Sequence, residues 1–219
     1  MKELPNITLI AYDNSARPEK TLSALQYCAS LIKFAEVVFV CQRQPSNGVN
    51  GETIRFVPDT GYEAAMDFEV NKVGAHINTP FALFIHHDGY ILNADAWNDD
   101  WLKYDFIGAP WPLNGNEDHP GCADFPNSRV GNTGFCLKSK KFMSYCQHLG
   151  GSFKPSMHGD VFCCQVIRPQ LEQLGVRFAP INVAAAFAWE NNIEEYPKGR
   201  PDAFGFHNFR GKTVPRFIV

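Results

Sequence analysis

Residues 81–89 read Phe-Ala-Leu-Phe-Ile-His-His-Asp-Gly. The five apolar residues from Phe81 to Ile85 form a short continuous run, the pattern of a strand buried on both faces of a parallel sheet. The run then breaks into two imidazoles and a carboxylate. In open α/β sheets ligands bind just outside the carboxyl ends of the strands, so His86, His87 and Asp88 form a candidate site. Side chains alternate along a strand, which puts His86 and Asp88 on one face and His87 on the other. If Asp88 holds a divalent metal, His86 is the neighbour placed to help. The competing reading is a solvent-exposed strand end with two incidental histidines.

Upstream, residues 7–11 predict a first strand, 21–34 a helix, 37–41 a second strand, 54–57 a third and 61–77 a second helix. This β-α-β-β-α-β order, closed by 81–85, implies a mostly parallel sheet with helices on both faces. Downstream the pattern is less regular. A short helix is expected over 94–102 with Trp97 and Trp101 as core, strands over 106–109, 134–137 and 176–179, and helices over 139–149 and 160–174. The polar stretch 111–129 predicts a mobile loop over a site, and 197–219 an irregular wrap. No repeat, low-complexity segment or internal boundary stands out.

Composition bounds the class. The 219 residues are 45% hydrophobic and 20% charged, an ordinary globular balance for one α/β domain. No apolar run reaches the ~18 residues of a membrane span, and the N-terminus shows no cleavable signal, so a cytoplasmic location is expected. Seven cysteines without a CxxC pair argue against a disulfide framework and a structural zinc site, and for small core residues. The net charge of −3 hides an asymmetry: residues 1–125 carry 8 Lys/Arg against 17 Asp/Glu, and residues 126–219 carry 12 against 6. A basic second half hints at a polyanionic partner; the plainer reading is that the halves neutralise each other.

Further polar clusters fall at strand ends: Tyr12-Asp13-Asn14, Arg43, Gly131-Asn132-Thr133-Gly134, Asp160 and His207. Asn71 and Lys72 lie on a helix from which they could reach a ligand, or form a solvated face. Trp111, Trp189 and Glu190 adjoin these segments. There is no GxGxxG, no GxxxxGK[ST] and no GxSxG, which disfavours a dehydrogenase, a P-loop NTPase and an α/β-hydrolase.

Several segments together resemble a known family. HHDGYILNADAWNDDWLKYDFIGAPW (86–111) is similar to the DG-aromatic and YD[YF]IGAPW segments of a glycosyltransferase-like family long catalogued as a domain of unknown function. VGNTGFCLKSKKFM (130–143) resembles its VGNGGFSLRS, HGDVFCCQVIRPQLEQLGVRFAP (158–180) its EDV segment, AAAFAWE (184–190) its FSxE and FGFHN (204–208) its FGFH, in the same order. The resemblance implies a single α/β domain of GT-A-like, Rossmann-like architecture, with a nucleotide-sugar half over about 1–110 and an acceptor half over about 111–219. It implies sugar transfer from a nucleotide-sugar donor, a UDP-sugar first among candidates, to an acceptor hydroxyl. Mn²⁺ or Mg²⁺ would assist, and the outcome would be inverting.

On that resemblance Asp88 stands for the last Asp of a DxD motif, His86 for the first, and His207 for the C-terminal His that completes the metal site. Asp160 stands for the catalytic base. Tyr12, Asp13, Asn14, Arg43, Asn71, Lys72, His86 and His87 would bind the donor. Trp111, Asn132, Thr133, Gly134, Trp189 and Glu190 would bind the acceptor. Two departures matter: Gly159-Asp160 replaces Glu-Asp, and Thr133 replaces a glycine. Residue chemistry agrees with the roles. A departing diphosphate needs charge neutralisation, and an acceptor hydroxyl needs a general base within hydrogen-bond reach. The acceptor would be a glycan or, given the basic second half, hydroxymethyl-pyrimidine DNA of a viral kind; a virus-encoded protein would then act in the host cytoplasm. The alternatives are a non-catalytic nucleotide-sugar or carbohydrate-binding module and a metal-dependent hydrolase.

Overall fold

The computed structural model describes residues 1–46, 48–114 and 121–208. Its central sheet is built around the stretch quoted above. Strands β1 (Lys2–Asp13), β2 (Ile32–Cys41), β3 (Thr53–Phe56) and β4 (Phe81–Ile85) run parallel in the order β3-β2-β1-β4. The chain builds outward from β1 on one side, then returns through β4 on the other. That reversal makes β1 and β4 flank a topological switch point, where α/β sheets form a ligand crevice. Ala11 pairs with Ile85, so the last residues of β1, Tyr12 and Asp13, with Asn14 after them, and His86-His87-Asp88 after β4 lie at the same edge.

Alternation sets the two layers. Helix α1 (Glu19–Leu31) follows β1, and Thr21 near its start donates to Asp13 Oδ2 at 2.5 Å. On the opposite face the Tyr12 ring stacks on Phe68 at 4.0 Å. Phe68 belongs to a helical segment that begins as α2 (Tyr62–Asp67), widens to a π-turn (Phe68–Lys72) and tightens to a 3₁₀ turn (Val73–His76). The sequence predicts this segment as one helix; the π-turn turns Glu69 into the interior.

The rest of the sheet is antiparallel. β6 (Phe106–Gly108) and β7 (Phe135–Ser139) complete the order β4-β7-β6. Ser139 caps α3 (Lys140–Leu149) by accepting from Phe142 N at 3.0 Å. The expected helix over 160–174 is α4 (Gly159–Val161), a π-turn (Phe162–Val166) and α5 (Arg168–Gln173). The expected strand over 176–179 is reduced to one bridge between Phe106 and Phe178, and 94–102 forms two 3₁₀ turns. Trp97 and Trp101 are buried core residues, as expected. The seven cysteines are buried and free. No described helix is long and apolar enough to cross a membrane.

The sequence pattern does not show a second, three-stranded sheet made of two-residue strands: β5 (Tyr90–Ile91), β8 (Ala188–Trp189) after α6 (Ile181–Phe187), and β9 (Gly205–Phe206), in the order β5-β9-β8. Its register assembles the site. Tyr90 pairs antiparallel with Phe206, which sets Asp88, just before β5, beside His207, just after β9. Trp189 pairs parallel with Phe206, which sets Glu190 beside His207 as well.

Candidate active site

His86, Asp88 and His207 converge. One ligand-type atom from each lies within 4.8 Å of the others. His207 Nε2 approaches Asp88 Oδ1 to 3.2 Å and its Nδ1 approaches Glu190 Oε1 to 3.4 Å. Neither approach has the alignment of a hydrogen bond, so Asp88 Oδ1 and His207 Nδ1 are buried with an ion-pair contact each and no hydrogen bond. Orphaned buried donors and acceptors at one point are what a cation would satisfy. Burial raises the Asp88 carboxyl, but the surrounding imidazoles outweigh it and hold Asp88 well below the usual carboxylate range. Burial lowers His207, but Asp88 and Glu190 outweigh it and push His207 up to about 9. Two imidazoles and a carboxylate fit a divalent transition ion better than Mg²⁺, which prefers oxygen ligands.

The backbone around the cluster is tightly coupled. His86 N donates to Gly134 O at 2.9 Å, and Gly134 N donates to Asn132 Oδ1 at 2.9 Å. A Cβ on Gly134 would overlap the His207 ring, so only glycine lets β7 begin beneath that imidazole. Asn132 Nδ2 donates to Glu190 Oε2 at 2.8 Å. Asn132, Thr133 and Gly134 therefore support the site from below.

Glu69 is a site residue that sequence reasoning missed. Its Oε1 lies 3.0 Å from His86 Nε2 and its Oε2 accepts from Thr133 Oγ1 at 2.9 Å. Burial raises the Glu69 carboxyl, but the bond and charge of His86, with the Lys138 charge and the Thr133 bond, bring it down to about 2. Only the buried hydrophobic neighbours Phe68 and Val70 could have signalled that Glu69 points inward.

Asp160 keeps part of its own surface open, yet its carboxyl is crowded by protein. Burial first, then the Glu69 charge, raise it to about 6, against the opposing Val161 N–H bond at 2.8 Å.

Beside the cluster lies a cleft of about 360 Å³. Tyr12, Asp13, Asn14, His86 and His87 line it, joined by Arg17 and Lys20, two cations flanking the start of α1 that the sequence reading passed over. His87 is exposed, 3.7 Å from Asp88 Oδ1, and stands outside the three-residue cluster.

Other expected residues lie elsewhere. Arg43 meets Glu19 at 3.5 Å on the exposed side. Asn71 donates to Asp67 at 2.7 Å, and Lys72 pairs with Asp59 and Asp67 at 2.9 and 2.8 Å. None of these three lines the cleft, because each is held by a local carboxylate. Trp111 is buried against Gly131, so its ring offers no sugar platform. Trp189 is half-buried, its ring against Phe206 at 5.6 Å. The described part of 111–129 is pinned: buried Arg129 donates to Trp111 O, Glu194 and Glu195 at 2.7–3.0 Å.

Of the described cations behind the basic second half, Lys154 is exposed and several others are held by the protein itself. Lys138 and Arg168 are buried, Lys141 pairs with Asp105, Arg200 pairs with Asp202, and Lys140 donates to Ile77 O. Arg210, Lys212 and Arg216 lie outside the described residues.

Strand order, switch point and cluster define an α/β protein of GT-A-like fold. A glycosyltransferase involved in the glycosylation of the major capsid of PBCV-1 shares it, at 11% identity and TM-score 0.55, with 94% of each chain covered. The mannosyltransferase PcManGT from Pyrobaculum calidifontis, in complex with GDP-Man and Mn²⁺, matches at 14% identity and TM-score 0.46, over 81% of this chain and 55% of that one. S. aureus TarS 1-349 matches at 14% and 0.45, over 74% and 54%. No curated protein matches the sequence. Residues 74–207 match the family described as "Protein of unknown function (DUF5672)", and the chain belongs to that family.

Proposed function

We propose that this protein transfers a sugar from a nucleotide-sugar donor to an acceptor hydroxyl. The carrying observation is the convergence of His86, Asp88 and His207, with orphaned buried polar atoms, at the switch-point edge of a GT-A-like sheet. These three residues would hold Mn²⁺ in preference to Mg²⁺. The cation would neutralise charge on the departing diphosphate. Arg17 and Lys20 add positive charge in the adjoining cleft, and Tyr12, Asp13, Asn14 and His87 line the donor's path. A UDP-sugar is the first donor to test.

Asp160 is the general base. Raised to about 6, it is ionised at neutral pH yet basic enough to take the acceptor proton. One such carboxylate serves direct displacement with inversion. Glu190 is held by Asn132 and lies against His207, which favours a supporting role over that of a nucleophile. One domain over 1–219 would take donor contacts from about 1–110 and acceptor contacts from about 111–219. It would act in the cytoplasm. A glycan acceptor is preferred to DNA, since Lys138 and Arg168 of the basic second half are buried and Lys141 and Arg200 are paired.

A second reading is a binding module without catalysis, favoured by an imidazole, His86, where a carboxylate would stand. Incubation with a pool of nucleotide sugars, Mn²⁺ and oligosaccharides, followed by mass spectrometry, separates the two. Transfer or donor hydrolysis supports the enzyme. Nucleotide binding with no turnover of any donor supports the module.

A further inference from the structure

Glu69 touches three segments that carry different roles. One carboxylate oxygen meets His86 of the metal-type cluster at 3.0 Å, and the other accepts from Thr133 at 2.9 Å. A Cβ on Gly159, next to Asp160, would sit 3.5 Å from Glu69 Oε2. The residue is buried and carried by the π-turn Phe68–Lys72, a helix irregularity found often at functional sites. A buried carboxylate is costly unless its oxygens are bonded and its charge compensated. Here both oxygens are bonded.

The same contacts connect two sequence peculiarities. Thr133 supplies the hydroxyl that fixes Oε2, and Gly159 leaves room beside it. A longer side chain at 159 would meet Glu69 and Val70, the latter 3.3 Å from the added Cβ. The carboxylate beside Gly159 therefore comes from a different element, 91 positions upstream of Asp160.

We infer that Glu69 is a positioning residue that links the two halves of the site, fixing the His86 ring for the cation and setting the electrostatic surroundings of Asp160. This rests on the metal-site reading proposed above. Carboxylates that accept from a ligating histidine orient it and raise its basicity, and their loss costs about 10–100-fold in metal affinity. Asp160 is faced by Glu69, by Glu190, by His158 on its own segment, by the Tyr62 phenol and by the thiols of Cys122, Cys136 and Cys164. Of these, Glu69 is the carboxylate that lies beside Gly159, the residue before Asp160, and its charge acts on Asp160 in the same direction as desolvation.

The test is Glu69→Gln, which keeps shape and removes the charge. Calorimetric titration with Mn²⁺ alone should show affinity weakened about 10–100-fold. Carboxyl NMR of the metal-free full chain should show the Asp160 titration moved to lower pH. Unchanged Mn²⁺ affinity beside a wild type that binds Mn²⁺ overturns the link to His86. An unmoved Asp160 titration overturns the link to the base. A wild type that binds no Mn²⁺ overturns the metal-site reading and the His86 link together, and the Asp160 measurement still decides the other. If Glu69→Gln fails to fold, Thr133→Val removes the bond to Oε2 alone and should weaken Mn²⁺ binding in the same direction; unaltered binding there counts against the inference.

Discussion

Replacing Gly134 with alanine probes the site at its tightest point. A Cβ there overlaps Nε2, Cδ2 and Cε1 of His207. The strand cannot simply withdraw, because Gly134 O accepts from His86 N at 2.9 Å and Gly134 N donates to Asn132 Oδ1 at 2.9 Å. Nor can the His207 backbone, whose N–H is tied to Trp189 O at 3.1 Å. The imidazole must swing away from Asp88 and Glu190. Overpacking of this kind costs about 1–3 kcal/mol. At roughly 2–4 °C per kcal/mol for a domain of this size, the Tm should fall by about 2–12 °C. One of three ligands would be displaced, so Mn²⁺ affinity should drop at least ~10-fold, the floor seen for lesser disturbances of a metal site. Thermal unfolding by circular dichroism and calorimetric titration with Mn²⁺ read the two effects. Gly151→Ala, where an added Cβ meets nothing within 4 Å, is the control and should change neither. A Gly134→Ala protein that melts with the wild type and binds Mn²⁺ equally would refute the reasoning.

Asp160→Asn should lower turnover by about 10²–10⁴-fold with donor affinity nearly kept, and wild-type kcat/KM should rise through pH about 6 to a plateau; wild-type turnover in the variant would move the base elsewhere. The same substitution should stabilise the fold at neutral pH. The raised folded-state value means that stability present at low pH is lost as pH rises through about 6, and asparagine escapes that loss; melting curves at pH 4 and pH 7.5 should diverge only at the higher pH. Arg129→Ala should cost about 1.5–3 kcal/mol, the range for hydrogen bonds to charged groups, since its carboxylate partners can turn to solvent; a chemical denaturation midpoint equal to wild type would show that the contacts contribute nothing. Duplex DNA, hydroxymethylated or not, should show no binding that falls steeply with salt. A log–log slope corresponding to several phosphate contacts, at about −0.9 each, would restore the DNA acceptor.

What the sequence made legible follows from the length of the patterns. The run 81–85 is long and apolar enough to fix β4 to the residue, and the alternation of β1 through β4 with helices fixes the parallel half of the sheet. His86, Asp88 and His207 were legible as a set through motif resemblance, and the structure brings them together. Two-residue strands carry no periodicity, so the sheet that actually joins Asp88, Glu190 and His207 left no pattern to read. Glu69 was hidden because the segment reads as one regular helix, whereas a π-turn interrupts it over Phe68–Lys72 and Glu69 is buried there. Charge counts misled for a physical reason: Lys138 and Arg168 lie in the interior, against the rings of Phe84 and Phe178, so composition overstated the cations available to a partner.

Thermal unfolding with a panel of nucleotide sugars, with and without Mn²⁺, on wild type and Asp88→Ala, tests the central claim most directly. The account predicts that at least one nucleotide sugar at ~100 times its Kd stabilises the wild type by about 2.7 kcal/mol in Mn²⁺ alone, and that Asp88→Ala folds but loses the shift. A donor shift that is independent of Mn²⁺ and survives in Asp88→Ala, or no shift with any nucleotide sugar, would contradict it.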